Sequence, residues 1–426
     1  MIESIQIKNF RGIQQGQIEQ FKKFNLLVGP NNSGKTAVLE ALYLASTVEP
    51  ESLLDAGHKK FRVRIPGYDL MGENPMLRVL ARHGYHAETP SNGGSDRILN
   101  VNLSQRNAPL RSFTLRGSAG SESSWPPLLF VLDPPSEATD EQMKNSTWIL
   151  LGRLWGEQLR DFSNERLVYC WKTELTHYRC GSATWRVRGE FPSPALTLFY
   201  DVANTLSHIP ANFYNQMLTT VPGWMHKIAE SLVRVLGLKP NFNVAFLPPD
   251  AALDEAERTW MQGYLAPAEK IALTIDSYGD GARSAFKVLT PLTALATIAG
   301  EDTPGLFLWE EPELFQNPQT LSRLLAEVAD LLRNRPIQVF IATHSLEVAA
   351  ILVQLVQDGL IAEDELTAIR LNLYEGQLAS SSFNHREIQT WTEMDLDLRV
   401  PSGKVDSPLK YQFRETANAA EHTDDD

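Results

Sequence analysis

Cysteine is nearly absent from the chain: only Cys170 and Cys180 occur in 426 residues. Two thiols rule out a disulfide framework, and even with His177 between them they fall short of a four-ligand metal site. They read as structural thiols in a reducing compartment. Long apolar runs are missing as well. No stretch approaches the roughly 18 residues of a membrane helix, and the opening MIESIQIKNF has no signal-peptide apolar region. A cytoplasmic protein with no membrane contact is therefore expected. Positive charge is in short supply: 39 Lys and Arg against 52 Asp and Glu leave a net charge of -13. Such a surface does not bind nucleic acid everywhere, although a local basic patch can still do so. Internal repeats and sustained heptads are also lacking. What remains is 43% hydrophobic and 21% charged residues, an ordinary globular composition with enough length for two or three domains.

Against this background the segment GLFLWEEPELFQNP, Gly305 to Pro318, stands out. Leu306, Phe307, Leu308 and Trp309 form a continuous apolar run, as in a strand of a parallel sheet buried on both faces. The run ends on Glu310, Glu311 and Glu313. Carboxylates crowded there repel one another and raise their own pKa values unless a cation lies between them. Ligands of open α/β sheets sit beyond the carboxyl ends of strands, where Glu310 and Glu311 fall. Taken alone, EEPE also reads as a solvated loop after a core strand.

The first 50 residues alternate apolar and polar positions in IESIQIKNFRGIQQGQIE and reach KKFNLLVG, which suggests two or three strands before a loop at Gly29. A packed helix, TAVLEALYLAS, follows. Residues 51–240 are irregular and read as an inserted α+β lobe. Short strands are expected in MLRVLAR, ILNVNLS, RSFTLR and PLLFVLD, and helices around Gln142–Phe162, Ala195–His208 and Trp224–Leu236. Residues 241–384 return to alternating strand and helix: KIALTIDSYGDGARSAFKVLTPL, the carboxylate strand, the amphipathic LSRLLAEVADLLRNR, the buried strand IQVFIATHS, and a hairpin in LTAIRLNLYEGQLASSSF. Residues 385–426 form an extension with an acidic end, ANAAEHTDDD, of disordered composition.

GPNNSGKT, Gly29 to Thr36, fits the pattern G-x-x-x-x-G-K-[ST] after a strand and before a helix. Gly29 and Gly34 let the backbone through Pro30, Asn31, Asn32 and Ser33 turn its N–H groups toward phosphate oxygens. Lys35 is placed to reach the β- and γ-phosphates of ATP, and Thr36 to supply an oxygen to Mg2+. Glu310 stands where a second-strand carboxylate holds that Mg2+, and Glu311 where a base orients or deprotonates the attacking water. Glu313, beyond Pro312, is expected to cap the next segment or face solvent. His344 ends the third apolar strand; such a histidine is commonly a satisfied core residue, but a shared sheet edge puts it near a γ-phosphate. The turn SYGDG, with Ser277, Gly279 and Gly281, is either a second phosphate cradle at a helix N-terminus or a glycine turn with a serine cap.

In order, NFRGI, GPNNSGKT, SYGDGARSAF, LFLWEEPELFQNP and IATHS resemble the ABC-type ATPases of the SMC/RecF/OLD superfamily, closest to the OLD (overcoming lysogenization defect) ATPases. The likeness covers mainly residues 1–50 and 270–350. It implies an α/β fold, an ABC-type head of mixed β-sheet with flanking helices. It also implies a homo-oligomer, at least a dimer, in which Ser277 and Gly279 of one copy close over ATP held by Lys35 of another. The same resemblance makes Glu310 the Walker B acid, Glu311 the catalytic glutamate and His344 the switch histidine. Three features depart from the pattern. Glu310 stands where Asp is commoner, Asn317 stands where OLD-like chains often have His, and the acidic motifs of a Toprim nuclease are missing after His344. Anti-phage defence systems such as PARIS pair a similar OLD-like ATPase with a separate nuclease or toxin, and a regulatory ATPase with such an effector is the leading expectation. A RecF-like DNA-repair ATPase is the alternative, and a nucleotide-gated scaffold with negligible turnover a third. DNA binding would fall to Arg166, Lys172, Arg179, Arg186 and Arg188, which interleave with aromatics in a run that also reads as a partly buried hairpin.

Overall fold

Strands covered on both faces carry apolar residues at consecutive positions, and FNLLV, GLFLWE and IQVFIA are buried along their whole lengths. The computed structural model describes residues 1–46, 70–71, 97–105, 108–117, 128–132, 147–151, 168–171, 196–200, 208–238, 242–248, 260–267, 272–301, 303–394 and 396–400. The chain opens with β1 (Ile2–Phe10), β2 (Ile13–Ile18) and β3 (Phe24–Val28), followed by α1 (Lys35–Ser46). Next come β4 (Arg97–Gln105), β5 (Ala108–Gly117), β6 (Leu128–Leu132), β7 (Thr147–Leu151), β8 (Val168–Trp171) and β9 (Leu196–Tyr200). A smaller unit follows, with β10 (His208–Pro210), α2 (Ala211–Thr220), α3 (Trp224–Leu236), β11 (Phe242–Leu247), β12 (Trp260–Pro267) and β13 (Leu273–Thr274). The remainder alternates α4 (Asp280–Ile298), β14 (Gly305–Glu310), α5 (Pro318–Leu332), β15 (Ile337–Ala342) and α6 (Leu346–Gln357). It closes with β16 (Leu366–Tyr374), β17 (Gln377–Asn384) and α7 (His385–Glu393).

Thirteen strands form one mixed sheet in the order β8-β7-β6-β5-β4-β1-β2-β17-β16-β3-β15-β14-β9. The five strands at one end, β16-β3-β15-β14-β9, are parallel throughout. Alternate side chains of these strands enter two separate cores. Phe24, Leu26, Phe307, Trp309 and Val339 pack with helices α3 to α6 on one face. Leu27, Leu306, Leu308 and Phe340 pack with α1 and the β1–β2 hairpin on the other. At about 25 cal/mol per Å² of apolar area removed from water, parallel strands buried on both faces hold their register strongly. The register sets Leu27 opposite Ala342, and Ala342 opposite Glu310. Three strand ends therefore lie level on one edge. The four-stranded second sheet, β10-β12-β11 with β13 on β12, leads into the start of α4.

Most of the expected elements are present, including strands in ILNVNLS, RSFTLR and PLLFVLD, the helix at Trp224–Leu236, and the hairpin of β16 and β17 turning at Glu375 and Gly376. Two helical expectations are corrected. Leu196–Tyr200, within Ala195–His208, is a strand paired in parallel with β14 at the end of the sheet; burial of Leu198 in one core and Phe199 in the other outweighs the helical reading of LTLFY. Within Gln142–Phe162, Thr147–Leu151 is likewise a strand, between β6 and β8. β4 also pairs with β1, so strands from residues 51–240 continue the main sheet at both of its ends. MLRVLAR, Cys180, the acidic tail and all of the basic run Arg166–Arg188 except β8 lie outside the described residues. Among the described residues, no helix is long and apolar enough to cross a membrane.

Candidate functional site

The loop after β3 bends where its glycines allow. Gly29 has φ +148 and Gly34 φ +94, values that an L side chain rarely adopts. A Cβ on Gly29 would run into the Leu371 carbonyl and the Ser33 hydroxyl. The tight curl is secured by Ser33 N–H donating to the Pro30 carbonyl, and by Val38 N–H donating to Gly34 as α1 begins. Lys35, at the first position of α1, is 6% exposed and points back into the curl. Its Nζ donates to the carbonyls of Gly29 at 2.9 Å and Pro30 at 3.1 Å. Burial lowers the Lys35 pKa to about 8, against the opposing pull of Glu311, Glu313 and Glu310.

Beside it, Thr36 Oγ1 donates to Glu310 Oε1, so a hydroxyl and a carboxylate from two elements meet at the edge. Glu310 is the last residue of β14 and is 5% exposed. Glu311 follows with φ +48, a left-handed conformation that costs a non-glycine residue energy. Its N–H donates to the Ala342 carbonyl at 2.7 Å, which continues the strand ladder. Burial first, and then Glu313 and Glu310, raise the Glu311 pKa, making it a stronger base than an exposed glutamate.

His344 lies between these groups. Its Nδ1 is 3.5 Å from Lys35 Nζ, and its Nε2 is 3.5 Å from Glu311 Oε1. An ammonium only donates and a carboxylate only accepts, so the arrangement suits a neutral ring with its proton on Nε2. The His344 pKa is lowered, by burial first and then by Lys35, which agrees with a neutral ring.

Glu313 is not a cap and does not simply face solvent. Its Oε1 accepts from Thr343 Oγ1 at 2.6 Å and from His344 N–H at 3.1 Å, so it braces the strand end that carries the histidine. Asn317 takes the capping role, its side chain accepting from Thr320 N–H at the start of α5. A residue that the motifs missed is Arg399, which donates to the His344 carbonyl at 2.8 Å. No pattern around Leu398–Val400 distinguishes it in the sequence.

The SYGDG turn sits elsewhere in the contact network. Ile275–Ser277 form a short 3-10 turn, the Ser277 hydroxyl pairs with Thr274 at 2.9 Å, and α4 begins at Asp280 with Gly279 as its cap. Ser277 is therefore not the serine cap of that helix. Hydrogen bonds of this turn include those to Thr274, from Arg283 to Asp280 and, through the Gly281 carbonyl, from Gln316 Nε2 at 3.0 Å. Gly281 is crowded by the Phe315 carbonyl, so the loop after Glu310 packs directly on the start of α4.

The residues present fit ATP with Mg2+. The Gly29–Thr36 curl keeps the buried Ser33 hydroxyl without a protein partner and holds a lysine beside a hydroxyl–carboxylate pair of hard oxygen donors. Among the described residues no group of three or more His, Cys, Asp and Glu forms an all-protein metal cage. Two protein oxygens suffice for an ion that keeps waters and phosphate oxygens as its other ligands.

Two family models match the chain: an AAA ATPase domain over residues 1–65, and an AAA domain over residues 249–350 whose description names the AbiEii toxin and a Type IV TA system. Each model covers one half of the site. The chain carries an ATPase domain. Its architecture is mixed α/β, a mixed sheet flanked by helices. An ATP/GTP phosphatase of Helicobacter pylori is 49% identical over 43 residues, 10% of this chain and 12% of that protein. The DNA replication and repair protein RecF of Geobacter metallireducens is 46% identical over 48 residues, 11% of this chain and 13% of RecF. These matches span only about an eighth of each relative's length. Among solved structures, an SMC head bound to the C-terminal winged-helix domain of ScpA aligns with 91% of this chain and 99% of that one, at 13% identity and a TM-score of 0.43.

Proposed function

We propose that the protein binds and hydrolyses ATP with Mg2+ as a regulatory switch, and that its nucleotide state controls a separate polypeptide. The observation that carries the reading is the common strand edge, where register places Lys35, Thr36, Glu310, Glu311 and His344 in one cluster. Bound Mg2+ would neutralise phosphate charge. Lys35 and the backbone N–H groups of Gly29 to Thr36 hold the β- and γ-phosphates. Thr36 and Glu310 hold the ion, Glu311 takes the proton of the attacking water, and His344 donates from Nε2 to reacting oxygens or to Glu311. Ser277, Gly279 and Gly281, at the exposed start of α4, close the site of a second copy, so that the active unit is at least a dimer.

The order of motifs supports an OLD-like chain whose effector is a nuclease or toxin in anti-phage defence, and the second family model, described by a toxin of a Type IV TA system, is in keeping with a toxin-linked role. The domain reading is an ATPase formed by residues 1–50 and 241–384, a lobe at 51–240 and an extension at 385–426. The RecF match favours the alternative, a DNA-binding repair ATPase. The deciding experiment is phosphate release by wild type and Lys35→Ala, with and without duplex DNA, followed by capture of proteins encoded beside it in the presence of ATP. Turnover that Lys35→Ala abolishes, that DNA leaves unchanged, and that accompanies ATP-dependent capture of a nuclease or toxin supports the switch. Several-fold stimulation by DNA with no captured partner transfers support to the repair reading.

A further inference from the structure

The sequence motifs end at His344, yet the histidine is also held from a segment more than fifty residues further along the chain. Arg399 Nη1 donates to the His344 carbonyl at 2.8 Å. Its other guanidinium nitrogens are fixed by Asp397: Nε lies 2.8 Å from Oδ1 and Nη2 lies 2.6 Å from Oδ2, a two-pronged pairing that only the planar guanidinium makes. Asp397 is 4% exposed, and Leu398 between the two is buried in the main core. The segment is anchored at both ends. Leu396 N–H donates to the Trp391 carbonyl at 2.8 Å, and the Val400 carbonyl accepts from Arg370 Nη1 at 3.0 Å. Arg370 itself lies over the rings of Phe383 and Trp391.

His344 is thus pinned on both sides of its α-carbon. Glu313 takes its N–H, and Arg399 takes its C=O. We propose that Asp397 and Arg399 are positioning residues for His344, forming a clasp through which a segment beyond α7 sets the geometry, and hence the turnover, of the ATP site. The clasp is an expensive arrangement for mere packing. A buried carboxylate, a guanidinium with all its nitrogens directed, and a main-chain carbonyl at the edge of the site converge on one residue. Arg399 also acts through space, lowering the pKa values of both Lys35 and His344, so its charge lies close to both groups. The other charged groups around the ring are Lys35, Glu310 and Glu313, with Glu311 3.5 Å from its Nε2.

The proposal rests on the ATPase reading, and its test separates the two. Arg399→Ala, Arg399→Lys and Asp397→Asn are each compared with wild type for the kcat and KM of ATP turnover. The imidazole resonances of His344 are followed by NMR in the nucleotide-free protein, assigned through His344→Gln. A misplacement of about 1 Å can cost about a hundredfold in rate. The expected result is a fall in kcat of about tenfold or more in Arg399→Ala and Asp397→Asn, a KM within threefold of wild type, and a shifted His344 signal. Arg399→Lys, able to reach the carbonyl but not to pair twice with Asp397, should recover part of the loss. The clasp is overturned if the His344 resonances stay in place, if kcat is unchanged, or if KM rises tenfold with kcat intact, which would make Arg399 a nucleotide contact. A wild type without turnover refutes the ATPase reading, and the His344 resonances then still decide the clasp.

Discussion

Replacing Glu313 by alanine removes the acceptor that fixes the end of β15. Two donors lose their partner, Thr343 Oγ1 at 2.6 Å and His344 N–H at 3.1 Å. Hydrogen bonds to a charged group contribute about 1.5–3 kcal/mol each, and about 1.4 kcal/mol corresponds to a factor of ten. If only the His344 bond bears on catalysis, turnover falls about tenfold to a hundredfold; if both do, about a hundredfold or more. ATP affinity should change far less, because the loop Gly29–Gly34 and the bonds from Lys35 to Gly29 and Pro30 do not involve Glu313. The lost charge also has a predictable sign. Glu313 raises the pKa values of both Lys35 and Glu311, so in the variant Lys35 moves below about 8 and Glu311 becomes a weaker base. Glu313→Gln keeps Oε1 as acceptor and should lose less than Glu313→Ala. The assay is the initial rate of phosphate release at saturating ATP, with a separate binding titration. An alanine variant that turns over within twofold of wild type refutes the bracing role.

Two further outcomes are expected. With the Lys35 pKa at about 8 in the free protein, phosphate must re-protonate it above that pH; the ATP dissociation constant should rise up to tenfold per pH unit, with uptake of about one proton, seen by calorimetry in two buffers. A dissociation constant that stays flat from pH 7 to 9.5 would mean that Lys35 remains charged in the free site. Mixing Lys35→Ala with Ser277→Arg, each inactive alone, should restore part of the hydrolysis because some composite sites keep both intact faces; no recovery despite proven co-assembly would count against the shared site.

The parts of the site that follow short sequence rules were legible. Gly29–Thr36 combines two turn-permitting glycines with a lysine at a helix start, and Glu310, Glu311 and His344 each end a continuous apolar strand, so parallel pairing alone brings them to one edge. Glu313 was misread because its partners, Thr343 and His344, come from the next strand, thirty positions on, and nothing near Pro312 announces them. Arg399 was missed for the same reason, since its role exists only once α7 has packed on α6 and the following residues have docked. Leu196–Tyr200 failed in another way: a short apolar run fits either period, and only its place beside β14 decides for strand.

The central claim, that the strand-edge cluster turns over ATP with Glu311 as base, is tested most directly by Glu311→Gln. The variant keeps the shape of the side chain and removes a base whose contribution is on the order of a hundredfold or more. The account predicts that it binds ATP with near wild-type affinity, releases phosphate at least about a hundredfold more slowly, and accumulates as an ATP-bound oligomer in light scattering. Hydrolysis at the wild-type rate would contradict the assignment of the base, and loss of ATP binding would contradict the geometry from which it was inferred.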